Sequence, residues 1–169
     1  MQPTMPTSEK DQAVLDFLKL WKLQKPVYLE YEDVGEGYGP DFCHVSAKDI
    51  ALKRGGLRVH GWALWKYSQD GADVIIGDFH SVWQNPDGVL VDVTPPKVGK
   101  KVLFVRDPSL AIRRVGPIQQ LHSNRTNVPL APRLWNGQPT NEEFFGVPDD
   151  HPPLMEYCEK LGLPDTSML

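Results

Sequence analysis

The tetrapeptide Asn85-Pro86-Asp87-Gly88 lies between two runs of strand-forming residues, and it constrains this chain more tightly than any other stretch. Proline presets φ for the second position of a type I turn. Asn and Asp bond neighbouring backbone, and glycine takes the left-handed position that follows. Such a turn closed by a glycine bulge leaves a three-residue loop, Pro86–Gly88, with Asn85 opposite Val89. In that register Val82 faces Asp92 and His80 faces Thr94. His80 and Asp92 then share one face as diagonal neighbours, roughly 7–8 Å apart at the backbone and within side-chain reach. A two-residue loop would turn Asp92 to the opposite face. The other face, with Ile75, Phe79, Trp83, Val89, Val91 and Val93, is apolar and is expected to be buried against a helix.

A partner for that pair lies upstream. Gly35–Pro40 is a flexible loop, His44–Arg54 has helical spacing, and Gly55-Gly56 ends it, which predicts Cys43 at a helix N-terminus. Free backbone N–H groups and the positive end of the helix dipole favour a thiolate there. A thiol nucleophile needs a base, and the base needs an orienting carboxylate. Cys43, His80 and Asp92 supply those three roles. Asp78 shares the face of His80 and competes as orienter, whereas Ser81 lies on the other face. The oxyanion donors would be the Cys43 N–H and one group of the Tyr38–Phe42 loop. Tyr38, Phe42, Trp62 and Trp83 are the candidates for oxyanion site and groove wall.

These residues carry a resemblance. Cys at a helix start, His80 with Trp83 in a strand, and Asp92-Val93-Thr94-Pro95 in the next resemble the transglutaminase-like branch of the papain-type fold. Trp83 stands three residues after the histidine, where the transglutaminase-like pattern has two. Phe42-Cys43-His44-Val45, Gly61-Trp62 and Asp78–Trp83 are also similar to a bacterial SEC-C-associated family. The likeness covers about residues 40–107. It implies Cys43 as nucleophile, His80 as base and Asp92 as its orienter. No SEC-C zinc motif is present, so the likeness implies no zinc.

The rest of the chain predicts one α+β domain of 169 residues. Residues 1–7 read as a loose tail. A helix capped at Ser8 carries Val14, Phe17, Leu18 and Trp21 and stops before Pro26. Strands are expected at Val27–Glu32, Leu57–Tyr67, Val74–Gln84, Val89–Thr94 and Lys101–Arg106. Short turns between the last four suggest an antiparallel meander packed on the cysteine helix. Many of the 16 prolines fall after residue 107, so residues 108–169 are expected as a loop-rich wrap, with one helix at Pro152–Leu161.

A net charge of −4 argues against a general nucleic-acid binder. Neither a membrane-spanning apolar run nor a charged-then-apolar leader is evident, which points to the cytoplasm. Two cysteines, Cys43 and Cys158, are too few for a disulfide framework and are expected as reduced thiols. The expected substrate is a peptide, protein or small amide or thioester, with no cofactor. Two other readings compete. Cys43, His44, His80 and Asp92 are permitted zinc ligands, although an adjacent Cys-His pair is not a customary spacing. A non-catalytic module could use the same groove, with the polar segment Leu121–Leu130 either recognising a peptide or satisfying buried backbone. His60, His122 and His151 sit in unrelated contexts.

Overall fold

The computed structural model describes residues 3–69, 71–128, 133–135, 138–140 and 143–164. Ser8 opens the first turn, where its hydroxyl accepts the Lys10 N–H, but it does not cap the helix. Helix α1, Gln12–Leu20, is capped by Asp11, whose carboxylate accepts from the Ala13 N–H at 3.0 Å. After Pro26 comes strand β1, Val27–Glu30. Helix α2 spans Cys43–Arg54, so Cys43 is its first residue, as expected. Two glycines then turn the chain. Gly56 has φ +86°, and a Cβ there would meet the Gln84 carbonyl at 2.1 Å, so only glycine fits so close to the neighbouring strand.

Strands β2, Leu57–Gln69, and β3, Ala72–Gln84, form a long antiparallel hairpin. Strand β4 is only Leu90–Val91, with Gln84 opposite Leu90 and Trp83 opposite Val91. Asn85 N–H donates to Val89 O and Gly88 N–H to Asn85 O, each at 2.9 Å, and Gly88 has φ +84°. The three-residue loop therefore has the register that its residues predict. Past Val91 the arm leaves β3, contrary to the expected strand through Thr94. Asp92 instead bridges Tyr31 in the parallel sense, and its carbonyl accepts the Glu32 N–H at 2.9 Å.

Strand β5, Lys101–Arg106, breaks the expected meander. It returns to the far side of β2, giving the order β1-β5-β2-β3-β4. The reason lies in Val102-Leu103-Phe104-Val105, buried on both faces. Such a run belongs between two strands, not at an edge beside the two-residue β4. The C-terminal part is also more regular than a loop-rich wrap. Strands β6 (Arg113–Val115), β7 (Ile118–His122) and β11 (Phe144–Pro148) form a three-stranded sheet. Strand β8 (Arg125–Thr126) pairs with β3, and β9 (Arg133–Trp135) pairs with β10 (Gln138–Thr140). Helix α3, Pro152–Lys160, lies where the spacing predicts it.

Strand alternation divides the core. Trp62, Leu64, Ile75, Phe79, Leu103 and Val105 cluster with Val14 and Phe17 of α1, Val45 of α2, and Leu154 and Cys158 of α3. Val59, Ala63, Trp65, Val82, Val102 and Phe104 make the opposite face, covered in part by Met5 and Leu29. The N-terminal segment is not loose from Thr4 onward. Thr4 exchanges backbone hydrogen bonds with Lys66, and the Tyr28 hydroxyl donates to Pro6 O at 2.6 Å. The chain is thus a single α+β domain. None of the described helices is long and apolar enough to cross a membrane.

Candidate active site

Strand β3 is paired with β2 along its whole length. On its other edge β8 covers Ile76 and Gly77, and β4 covers Trp83 and Gln84. Between them, Asp78–Val82 has no strand partner on that edge among the described residues. His80 sits in the middle of this gap. Its side chain lies on the face opposite α2, and the gap is where a side chain from the helix start can meet it. Cys43 does so: it lines one cavity with His80, and the His80 and His44 rings both act on its sulfur.

The Asp92 carboxylate is 1% exposed and makes two bonds. Oδ2 lies 3.0 Å from His80 Nε2, and Oδ1 accepts the Thr94 N–H at 3.0 Å. With Nε2 facing Asp92, Nδ1 is the nitrogen left for the sulfur. Cys43, His80 and Asp92 line one cavity of about 250 Å³, with Trp65, Ala63 and Val102 as apolar wall. Lys97 and Asp41 stand at its rim, paired at 2.5 Å. Asp41 has φ +77°, a left-handed conformation that aspartate tolerates better than most residues.

Burial opposes ionisation of Cys43, but the His44 and His80 rings outweigh it and hold the thiol well below its ordinary value. Burial would likewise discharge His80, yet Asp92 and Cys43 hold that ring well above its ordinary value. Both shifts run in the direction that favours the charged forms, thiolate and imidazolium. Arg58 adds a second positive charge near the sulfur. Burial pushes it down to about 10, and its guanidinium donates to His44 O at 3.0 Å.

A second histidine chain reaches the same sulfur. His44 Nδ1 lies 2.6 Å from Ser81 Oγ, and His60 Nδ1 lies 2.7 Å from the same hydroxyl. Ser81 is fully buried. Burial, then the charges of Arg58 and His44, pushes His60 down to about 3, so that ring is neutral. With its Nδ1 facing Ser81, His44 has only Nε2 left for another partner. The sequence marks His44 only as a permitted zinc ligand and gives His60 no role. The available signal was the β2–β3 turn, which places His60 opposite Ser81.

Asp78 faces the cavity but not the imidazole, because it accepts from Asn124 Nδ2 at 2.7 Å. Asp92, not Asp78, is the carboxylate bonded to His80. None of the four groove candidates lines the cavity. The Tyr38 hydroxyl donates to Asp49 at 2.6 Å, and Phe42 stacks on Tyr157 with centroids 4.5 Å apart. Trp62 Nε1 donates to Asp107, and Trp83 Nε1 donates to Gly55 O. The wall tryptophan is Trp65. Its position on the His80 face of β2 follows from the same hairpin register.

The polar segment after Leu121 satisfies backbone, in line with the second of its two readings. Asn127 exchanges hydrogen bonds with Ile75, and Pro129 and Leu130 lie outside the described residues. No three His, Cys, Asp or Glu side chains are grouped as metal ligands among the described residues. Comparison with protein-family models, curated proteins and solved structures finds no match to the chain.

Proposed function

We propose that the protein is a thiol-dependent hydrolase or acyltransferase of transglutaminase-like, papain-type construction, acting on an amide, isopeptide or thioester. The observation that supports it is one imidazole bonded to a buried carboxylate and sharing a cavity with Cys43. The Cys43 thiolate attacks the acyl carbon, and the carbonyl electrons move to oxygen. In this reading the Cys43 N–H, at the first position of α2, donates to that oxyanion. When the C–N or C–S bond breaks, the leaving amine or thiol takes the proton of the His80 imidazolium. The resulting thioester is attacked by water or by an amine, which gives its proton to the now neutral His80. The thiolate leaves and the pair is restored. Asp92 keeps the ring oriented throughout. Two free cysteines suit a reducing compartment such as the cytoplasm.

The test is alkylation of Cys43 by iodoacetamide, followed by peptide mass spectrometry. A depressed thiol pKa keeps the thiolate populated as pH falls, until that pKa is reached. An ordinary thiol is only about 0.3% ionised near pH 6. Wild type is expected to label at least about tenfold faster there than His80→Ala. Equal, slow labelling of both would sink the assignment.

A further inference from the structure

Three carboxylates and one lysine line the cavity, and their partners differ. Asp92 is engaged by His80 and by the Thr94 N–H. Asp41 and Lys97 hold each other at 2.5 Å. Asp78 has, among the described residues, only a neutral partner, the Asn124 amide on Oδ1. It is half-buried, and burial raises its pKa, although Lys97 and His80 act the other way. Lys97 is paired with Asp41 and reaches Asp78 only through space, so a desolvated carboxylate is left with no direct ion pair, and an ammonium with three donors is the chemistry that completes it.

A second observation points to a ligand in the same cavity. Thr94 lines it, is 4% exposed, and its hydroxyl has no hydrogen-bond partner among the described residues. Buried hydroxyls are ordinarily bonded, so this one marks a missing polar partner in the wall of the cavity. The spacing then fixes where a substrate amine would stand. Asp78 and His80 alternate on one face of β3, about 7 Å apart at the backbone. With the acyl chain running from His80 toward Asp78, a carbonyl undergoing attack has its own α-amine, or that of the preceding residue about 3.5 Å further along, within reach of Asp78.

We propose that Asp78 is the specificity residue of this site and binds the free amino group of the acyl portion of the substrate. The substrate class is then an amide or thioester whose acyl group carries a primary amine one or two residues from the scissile carbonyl. This rests on Cys43 being the nucleophile.

The experiment uses alanyl-alanyl chloromethyl ketones with the amine free, acetylated or succinylated. The Cys43 thiolate displaces chloride and forms a C–S bond. Each rate is divided by the iodoacetamide rate of the same protein, which reports the thiolate alone. In wild type the free amine is expected to react about tenfold faster than the acetylated probe, as for one charge-assisted hydrogen bond. Asp78→Asn brings that ratio close to one, and Asp78→Glu keeps most of it. A wild-type ratio near one overturns the proposal. So does a ratio that survives Asp78→Asn, or a succinylated probe that reacts fastest, which would assign recognition to Lys97. Should Asp78→Asn fail to fold, the three wild-type rates and those of Asp78→Glu decide. Iodoacetamide labelling no faster in wild type than in His80→Ala would instead remove the nucleophile itself, a failure distinct from lost amine preference.

Discussion

Asp92→Asn is the sharpest perturbation, because it changes one charge and almost no volume. The carboxylate is 1% exposed and 3.0 Å from His80 Nε2, so its charge is poorly screened. A hydrogen bond to a charged group contributes about 1.5–3 kcal/mol, and one pKa unit corresponds to about 1.36 kcal/mol. Losing it should lower the His80 pKa, because the Asp92 charge and hydrogen bond both raise it. The measurement is cleanest in a Cys43→Ala background, where the thiolate that also raises His80 is gone. There Asp92 is the group left that raises the ring against burial, and in Cys43→Ala/Asp92→Asn only burial remains, so the titration midpoint should drop between the two variants. Titration of the His80 Cε1–H by proton–carbon NMR reads this directly, with only five histidines to assign. The stability effect has a definite sign. A raised histidine pKa contributes stability that is full below the unfolded value and is lost as pH rises through the folded one. The thermal gap between Cys43→Ala and the double variant should therefore be wide in mild acid and narrow in alkali. An unchanged titration midpoint would refute the assignment of Asp92 as the group that holds the imidazolium.

Ser81→Ala removes a hydroxyl that serves two buried rings, at 2.6 Å and 2.7 Å. It should cost about 1–3 kcal/mol in chemical denaturation and slow acid-range alkylation of Cys43 through a misplaced His44. An unaltered unfolding curve would mean that the histidine chain is incidental. Gly61→Ala puts a Cβ 2.2 Å from the Val105 carbonyl and 2.5 Å from the Phe104 ring, on central strands with nowhere to move. A loss of at least about 1–3 kcal/mol is expected by urea unfolding, and a change within ~0.5 kcal/mol would contradict the tight β2–β5 approach.

What was readable in the sequence follows how local the determining interaction is. The His80–Asp92 pair depends on the bond from Gly88 to Asn85 and on one left-handed glycine, all within the turn itself. Residues in the tetrapeptide suffice to set it. The start of α2 at Cys43 is similarly local, bounded by a glycine-rich loop and a glycine stop. The position of β5 is not local. The continuous burial of Val102–Val105 marks a strand with neighbours on both sides, but which strands those are depends on the two-residue length of β4, where Asp92 turns away to meet Tyr31. That departure also decides the site. A β4 running on to Thr94 beside β3 would have covered the edge at His80, and a cysteine from the helix face would have met backbone instead of an imidazole. The hairpin turn therefore brings His80 and Asp92 into register, while the early end of the same hairpin leaves the edge open to Cys43. The first is written in Asn-Pro-Asp-Gly. The second lies in the competition of Tyr31 and Glu32 for Asp92, sixty residues away along the chain, which no periodicity reveals.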